Sequence, residues 1–179
     1  VMLLVEKWET LKLPLISSIK DVHHRKATKA SGHLVFDVRM TLERKARWVK
    51  DGHRTPEPDN STFAGVVSRE SIRIALTYAS LNRLPVYGAD IQNAYLQAPT
   101  TEKHYIICGP EFGLENVGKI AIIVRALYGG KSTGADYWNH ACQAMLDMNF
   151  ESCKADTDVW FRPGIKDDGT EYNQYILLY

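Results

Sequence analysis

The sequence predicts an α+β fold, and three observations predict it. Two stretches, Ser68 to Leu81 and Ala135 to Met148, carry apolar residues at helical spacing. Several shorter runs alternate apolar and polar residues, or are rich in β-branched ones, as strands are. Two pairs of these runs are joined by short turns, which gives antiparallel hairpins that the helices can cover. With 179 residues, 45% of them hydrophobic, the chain can bury one sizeable core as one domain or two lobes.

Taken in order, residues 1–32 show no clear periodicity. Val1 to Leu15 mixes apolar spacings and Ser17 to Ser31 is polar and basic, so a short helix or strand and then a loop are predicted. From His33 to Met40 and from Arg44 to Lys50 the alternation is that of two strands, turned by Thr41 to Glu43 into a hairpin. Period-two spacing sends Lys45 and Arg47 to one face, with Val49 behind them. That face is either the charged outside of an ordinary hairpin or a cationic surface for phosphates; Arg39 to Arg54 holds six Lys and Arg against two acids.

Asp51 to Ser61, with Gly52, Pro56 and Pro58, is a loop. The helix that follows is capped by Ser68 and buries Ile72, Ala75, Leu76 and Ala79. Pro85 opens a strand that ends at Asp90, and the chain then turns helical or irregular through Ile91 to Leu96. His104 to Cys108 and Lys119 to Ala126 are strand-like, separated by the turn Gly109 to Gly113. A flexible loop, Leu127 to Gly134, runs into the second helix, whose buried face is Trp138, Cys142, Met145 and Leu146. Asp156 to Arg162 and Tyr172 to Tyr179 form a last hairpin around Lys166 to Gly169.

The net charge of +1 predicts no strong general attraction to nucleic acid or membrane. Its distribution is uneven: residues 1–60 carry 12 Lys and Arg against 8 acids, and the remaining 10 face 13. Such a chain suits a protein that grips a polyanion with one region and cations with another. Cys108, Cys142 and Cys153 are too scattered for a disulfide framework or a cysteine-based zinc site, and predict reduced thiols in a cytosolic or nuclear protein. The adjacent His23 and His24 lack a matching second pair of ligands. No apolar run approaches membrane-spanning length; Ile120 to Val124 is cut by Arg125. The stretch that begins at Val1 lacks the basic start and cleavage site of a secretory signal, and the absence of Met at position 1 suggests a piece of a longer polypeptide.

Three places invite chemistry. Asp90, at a strand end, is either a helix cap or turn residue or a fixed metal ligand. Tyr128 to Gly134 gathers Gly, Lys, Ser and Thr before a helix, yet lacks P-loop spacing, so a simple strand-to-helix turn competes with phosphate binding. Asp156 and Asp158 would share one strand face, either as a metal pair or as a strand-entry acid beside a surface acid.

Order then adds to these residues. Arg44-Lys-Ala-Arg-Trp-Val-Lys-Asp-Gly-His-Arg-Thr55, Thr62-Phe-Ala-Gly-Val-Val-Ser-Arg-Glu-Ser-Ile-Arg73, Ala89-Asp-Ile-Gln-Asn-Ala-Tyr-Leu96 and Gly109-Pro-Glu-Phe-Gly113 come first. Arg125-Ala-Leu-Tyr-Gly-Gly-Lys131, Lys154-Ala-Asp-Thr-Asp-Val-Trp160 and Tyr175-Ile-Leu-Leu-Tyr179 follow. From about His33 onward, this succession resembles the reverse transcriptase of Ty1/copia-type LTR retrotransposons.

The resemblance implies the fingers and part of the palm of a right-hand polymerase, an antiparallel palm sheet covered by helices. The N-terminal segment and fingers-like region would be residues 1–83, and the partial palm 84–179. Asp90 would be the first catalytic aspartate, binding Mg²⁺ together with the Ile91 carbonyl. Tyr95 would be the steric gate against a ribose 2′-hydroxyl, and Gly129 and Lys131 would shape the nucleotide and template pocket. Lys45 and Arg47 would meet the incoming triphosphate. The implied partners are an RNA or DNA template with its primer, deoxynucleoside triphosphates and other domains of a retrotransposon polyprotein, with no membrane. The implied location is intracellular, in a cytoplasmic virus-like particle or the nucleus.

Two departures stand out. Gly130 replaces the larger apolar residue usual in that loop, which predicts a looser pocket. The family also follows the last strand with a residue and two aspartates, and this chain ends at Tyr179. Two Mg²⁺ ions about 4 Å apart need several carboxylates, so Asp90 alone should hold metal poorly and residues 1–179 should be inactive by themselves. The alternative function is a non-catalytic nucleic-acid-binding or domesticated remnant of the same fold.

Overall fold

A computed structural model of the chain describes residues 15–16, 26–38, 40, 42–165 and 168–179. Expectations for residues 1–14 and 17–25, His23 and His24 among them, fall outside the described residues. In chain order the elements are β1 (Leu15–Ile16), β2 (Thr28–Lys29), β3 (Gly32–Val38), β4 (Arg44–Lys50), α1 (Arg69–Leu81) and α2 (Ala94–Gln97). After them come β5 (His104–Ile107), β6 (Ile120–Ile122), α3 (Thr133–Asp147), β7 (Glu151–Ser152), β8 (Val159–Ile165) and β9 (Glu171–Leu177). The class is α+β. The chain divides into two compact units, Val1–Phe63 with Asn93–Tyr137, and Ala64–Gln92 with Trp138–Tyr179.

In the first unit β3 and β4 form the antiparallel hairpin that alternation predicts, with Val35 opposite Arg47 and Asp37 opposite Lys45. A separate sheet runs in the order β1-β6-β5-β2, antiparallel except for the parallel pair β2 and β5. The β-branched run of β6 is regular for only three residues. Beyond it the chain finds a different partner: the Thr100 amide donates to the Val124 carbonyl and the Ala126 amide to the Ala98 carbonyl. The core gathers Ala30, Ile106, Cys108, Phe112, Ala121, Ile123 and Leu127, with Trp48 and Leu96 packed against it. Trp48 meets Phe112 at 5.6 Å between ring centroids. Burying one such large side chain stabilises the unit by about 2–3 kcal/mol, so this cluster is what holds the unit together.

In the second unit Ser68 caps α1, its hydroxyl accepting the Ser71 amide at 3.1 Å. Ala79 is buried, while Leu76, expected inside, is 51% exposed. β7, β8 and β9 make an antiparallel sheet in which Trp160 pairs with Ile176. Tyr78 packs edge-on to Tyr175, and Arg162 lies over Phe150 at 4.5 Å.

The predicted strand from Pro85 to Asp90 does not form. These residues are irregular, and Val86 and Tyr87 are exposed. A strand persists only where its N–H and C=O groups find a ladder, and no described strand pairs with this segment. The described strands fall into three sheets, of four, two and three strands. In α3 the buried residues include Ala135, Asp136 and Ala141, whereas Leu146 is 53% exposed.

Candidate functional site

Within the first unit, the alternation of β4 brings Lys45 and Arg47 to one half-buried face, and residues far along the chain close around Arg47. Its guanidinium carbon lies 5.7 Å from the centre of the Tyr128 ring, a cation–π contact. Tyr95 reaches the same place from α2, edge-on to Tyr128 at 5.1 Å and to Tyr137 at 5.9 Å. Asn93, in the left-handed conformation that Asn tolerates, turns the chain into that short helix. The Arg47 Nε is buried and has no hydrogen-bond acceptor among the described residues. A buried donor in that state costs about 1–3 kcal/mol until an oxygen reaches it. The arrangement is therefore a cation framed by aromatic rings and short of one acceptor.

The loop that supplies Tyr128 is fastened to the end of β4. The Lys50 amide donates to the Tyr128 carbonyl at 2.8 Å, and the Gly52 amide to the Gly129 carbonyl at 3.1 Å. Gly129 adopts φ +82°, and a side chain there would strike the Lys50 carbonyl. Only glycine accepts both conditions without cost. Lys131 donates to the Thr55 carbonyl at 2.9 Å and to Glu57 at 2.6 Å. Glu57 is exposed, so its ion pair is weak and readily exchanged for another anion.

Beneath the loop lies a polar network that sequence reasoning missed. Lys50, Glu102, His104 and Asp136 are each at least nine-tenths buried. The Lys50 ammonium donates to Glu102 and stands 3.1 Å from His104 Nδ1. Burial, with the Lys50 charge added to it, depresses His104 to about 4. The imidazole is therefore neutral at pH 7, and its Nδ1 lies within reach of both the Lys50 ammonium and, at 3.2 Å, a Glu102 oxygen. Burial also lowers Lys50 to about 8, against the opposing pull of Asp136. Asp136 accepts the Thr101 hydroxyl at 2.7 Å, the Thr101 amide at 3.1 Å, and the Thr100 and Ser132 hydroxyls, both at 3.1 Å.

Gly130 fits this network. A side chain at that position would meet the Thr133 hydroxyl and the end of Lys50. The space that a larger residue would use is filled by Thr133 at the start of α3 and by Lys50 from β4, so glycine here does not loosen the loop.

Asp90 and Ile91 belong to the second unit, in the irregular segment before α2, and both are exposed. Asp90 makes no hydrogen bond or ion pair among the described residues. Asp156 and Asp158 do not share a strand face, because the turn before β8 carries them. Asp156 accepts the Ser71 hydroxyl and the Ser68 amide, which together hold it down at about 2. Asp158 is buried and accepts the Trp138 indole N–H at 2.5 Å. Its charge, after burial itself, helps to push the Cys142 thiol up. Among the described residues no three His, Cys, Asp or Glu side chains gather as a metal site would require. Among them, too, no helix is long and apolar enough to cross a membrane.

Comparison with known proteins adds to this geometry. Residues 13–170 match the family described as "Reverse transcriptase (RNA-dependent DNA polymerase)". Over 119 residues the chain is 29% identical to the "Retrovirus-related Pol polyprotein from transposon RE1" of Arabidopsis thaliana. It is equally similar to that from transposon RE2 of the same plant. Each alignment covers 65% of this chain and 8% of the polyprotein, so the chain corresponds to a small part of those relatives. No solved structure matches.

Proposed function

Since this chain belongs to the reverse transcriptase (RNA-dependent DNA polymerase) family, in its copia-type branch, we propose that it works within an enzyme that copies RNA, and then DNA, into DNA. In this reading the β3–β4 hairpin belongs to the fingers within residues 1–83, and the partial palm follows within 84–179. The observation that carries it is the half-buried Arg47 side chain, whose guanidinium faces the Tyr128 ring and whose buried Nε–H has no acceptor among the described residues. A triphosphate oxygen supplies what that group lacks, and charge-assisted hydrogen bonds to phosphate are the strong kind. Lys45, from the same strand face, and Lys131, once it exchanges Glu57 for phosphate, add positive charge. Tyr95 then serves as the gate against a 2′-hydroxyl, its ring held by Tyr128 and Tyr137. Gly129 lets the backbone of the pocket loop approach closely.

Reverse transcriptases use divalent metal ions. Asp90 and the Ile91 carbonyl are our candidates for one aspartate and one backbone oxygen on Mg²⁺, and their exposure leaves them open to further oxygen ligands. The partners are a primed RNA or DNA template, deoxynucleoside triphosphates and other domains of a Pol polyprotein, in an intracellular particle or the nucleus. The test is Tyr95→Val in a longer Pol polypeptide that contains this chain, assayed for primer extension with ribo- and deoxynucleotides. The gate reading expects ribonucleotide kcat/KM to rise by about tenfold relative to deoxynucleotide. An unchanged ratio removes Tyr95 from that role.

A further inference from the structure

We propose that Lys50, acting through Glu102, is the positioning residue for the loop Tyr128–Ser132, and so sets the nucleotide site whose function is proposed above. One lysine grips this loop at both ends. Its amide holds the Tyr128 carbonyl at 2.8 Å. Its ammonium holds one oxygen of Glu102, and the other oxygen accepts the Ser132 amide at 2.9 Å. Between those ends, the ammonium and its neighbouring carbon lie 3.1 Å from where a Gly130 side chain would begin. The loop is thus tied at its first residue and again at its fifth, with no room for a side chain at its third.

The cost of such a device argues that it has a use. Burying an ammonium and a carboxylate away from water is expensive, and apolar residues of similar volume would often pack at least as stably. A charge pair does something that an apolar cluster does not: it fixes direction. The Glu102 carboxylate has one geometry in which it serves both Lys50 and the Ser132 amide. Asp136 adds to that constraint by accepting the Ser132 hydroxyl. The residues so fixed are Tyr128, whose ring meets Arg47 and Tyr95, and Lys131.

The test uses the whole 179-residue chain and two variants, Lys50→Met and Lys50→Met with Glu102→Gln. Amide hydrogen exchange reads the loop directly, and equilibrium binding of dTTP reads the site. Lys50→Met leaves the buried Glu102 carboxylate without its cation. Exchange at Ser132 should then rise by about tenfold while β8–β9 amides stay unchanged, and dTTP should bind about tenfold more weakly. The double variant removes both charges but keeps an oxygen for the Ser132 amide, so exchange should return to within about threefold of the original. If Lys50→Met does not fold, the double variant must still show near-original Ser132 protection. Unchanged Ser132 exchange in Lys50→Met overturns the proposal, as does a double variant no better protected than the single one. Faster loop exchange with unaltered dTTP binding also overturns it, and locates the failure in the nucleotide-site reading.

Discussion

Ser71 donates its hydroxyl to Asp156 at 2.6 Å, fastening the first turn of α1 to the turn before β8. The same carboxylate accepts the Ser68 amide, an otherwise orphaned donor at a helix start, where negative charge is favourable. Asp156 titrates at about 2 instead of its ordinary 3.8. The unfolded chain therefore takes up the proton first as pH falls. Stability from Asp156 is complete above about pH 4 and lost as pH drops through about 2. Asp156→Asn should lower Tm at pH 7 and remove that acid limb. An unaltered limb would mean that Asp156 is not the group responsible.

His104 should act in a separate window. Its folded value of about 4 lies below the ordinary 6.5, so between those values the unfolded chain binds a proton that the folded chain refuses. Stability should fall as pH decreases from about 6.5 to about 4, by about 3 kcal/mol at most. Thermal unfolding across this range should show the decline, and His104→Gln should flatten it. A decline of equal size in the variant would assign it to other groups.

Trp138→Phe deletes the N–H that the buried Asp158 carboxylate accepts at 2.5 Å. Leaving that acceptor unsatisfied should cost about 1–3 kcal/mol in urea unfolding. A loss below about 0.5 kcal/mol, within the range of an ordinary surface substitution, would show that another donor replaces the indole.

Gly129→Ala and Gly169→Ala make a matched pair. Both glycines have positive φ, +82° and +83°, but a methyl group at 129 strikes the Lys50 carbonyl and one at 169 meets no described atom within 4 Å. Gly169→Ala should cost about 1 kcal/mol for the left-handed backbone alone. Gly129→Ala should cost at least about twice that, because the loop must also move. Equal losses would contradict the close approach of the loop to β4.

What is legible in the sequence is local. The β3–β4 hairpin follows from alternation between His33 and Lys50, α1 from its 3.6-residue spacing and the Ser68 cap, and the last hairpin from the turn at Gly169. The failures are all places where a distant partner decides. Pro85 to Asp90 has a strand-like composition but no described strand to pair with. The regularity of β6 gives way after Ile122 in the same manner, since Ile123 to Ala126 lies against residues 98–100 and His104. Period two puts Asp156 and Asp158 on one strand face, yet Ser71 and Trp138 claim them in a turn. At the candidate site, the motifs point to Arg47, Tyr95 and Lys131. No motif marks Glu102, His104 and Asp136, and the motif that contains Lys50 does not show its partner, because an ion pair between residues 52 apart leaves no periodic trace.

The central claim is that this chain carries part of a DNA polymerase site with Asp90 as a metal ligand. The most direct measurement is primer extension on an RNA template by a longer Pol polypeptide containing the chain, with Asp90 or with Asp90→Asn. The amide keeps the side-chain shape and removes the charge that a metal requires. Extension should become undetectable while the circular dichroism spectrum stays unchanged. Extension by the Asn variant within about tenfold of the original, only ~1.4 kcal/mol of barrier, would contradict the claim.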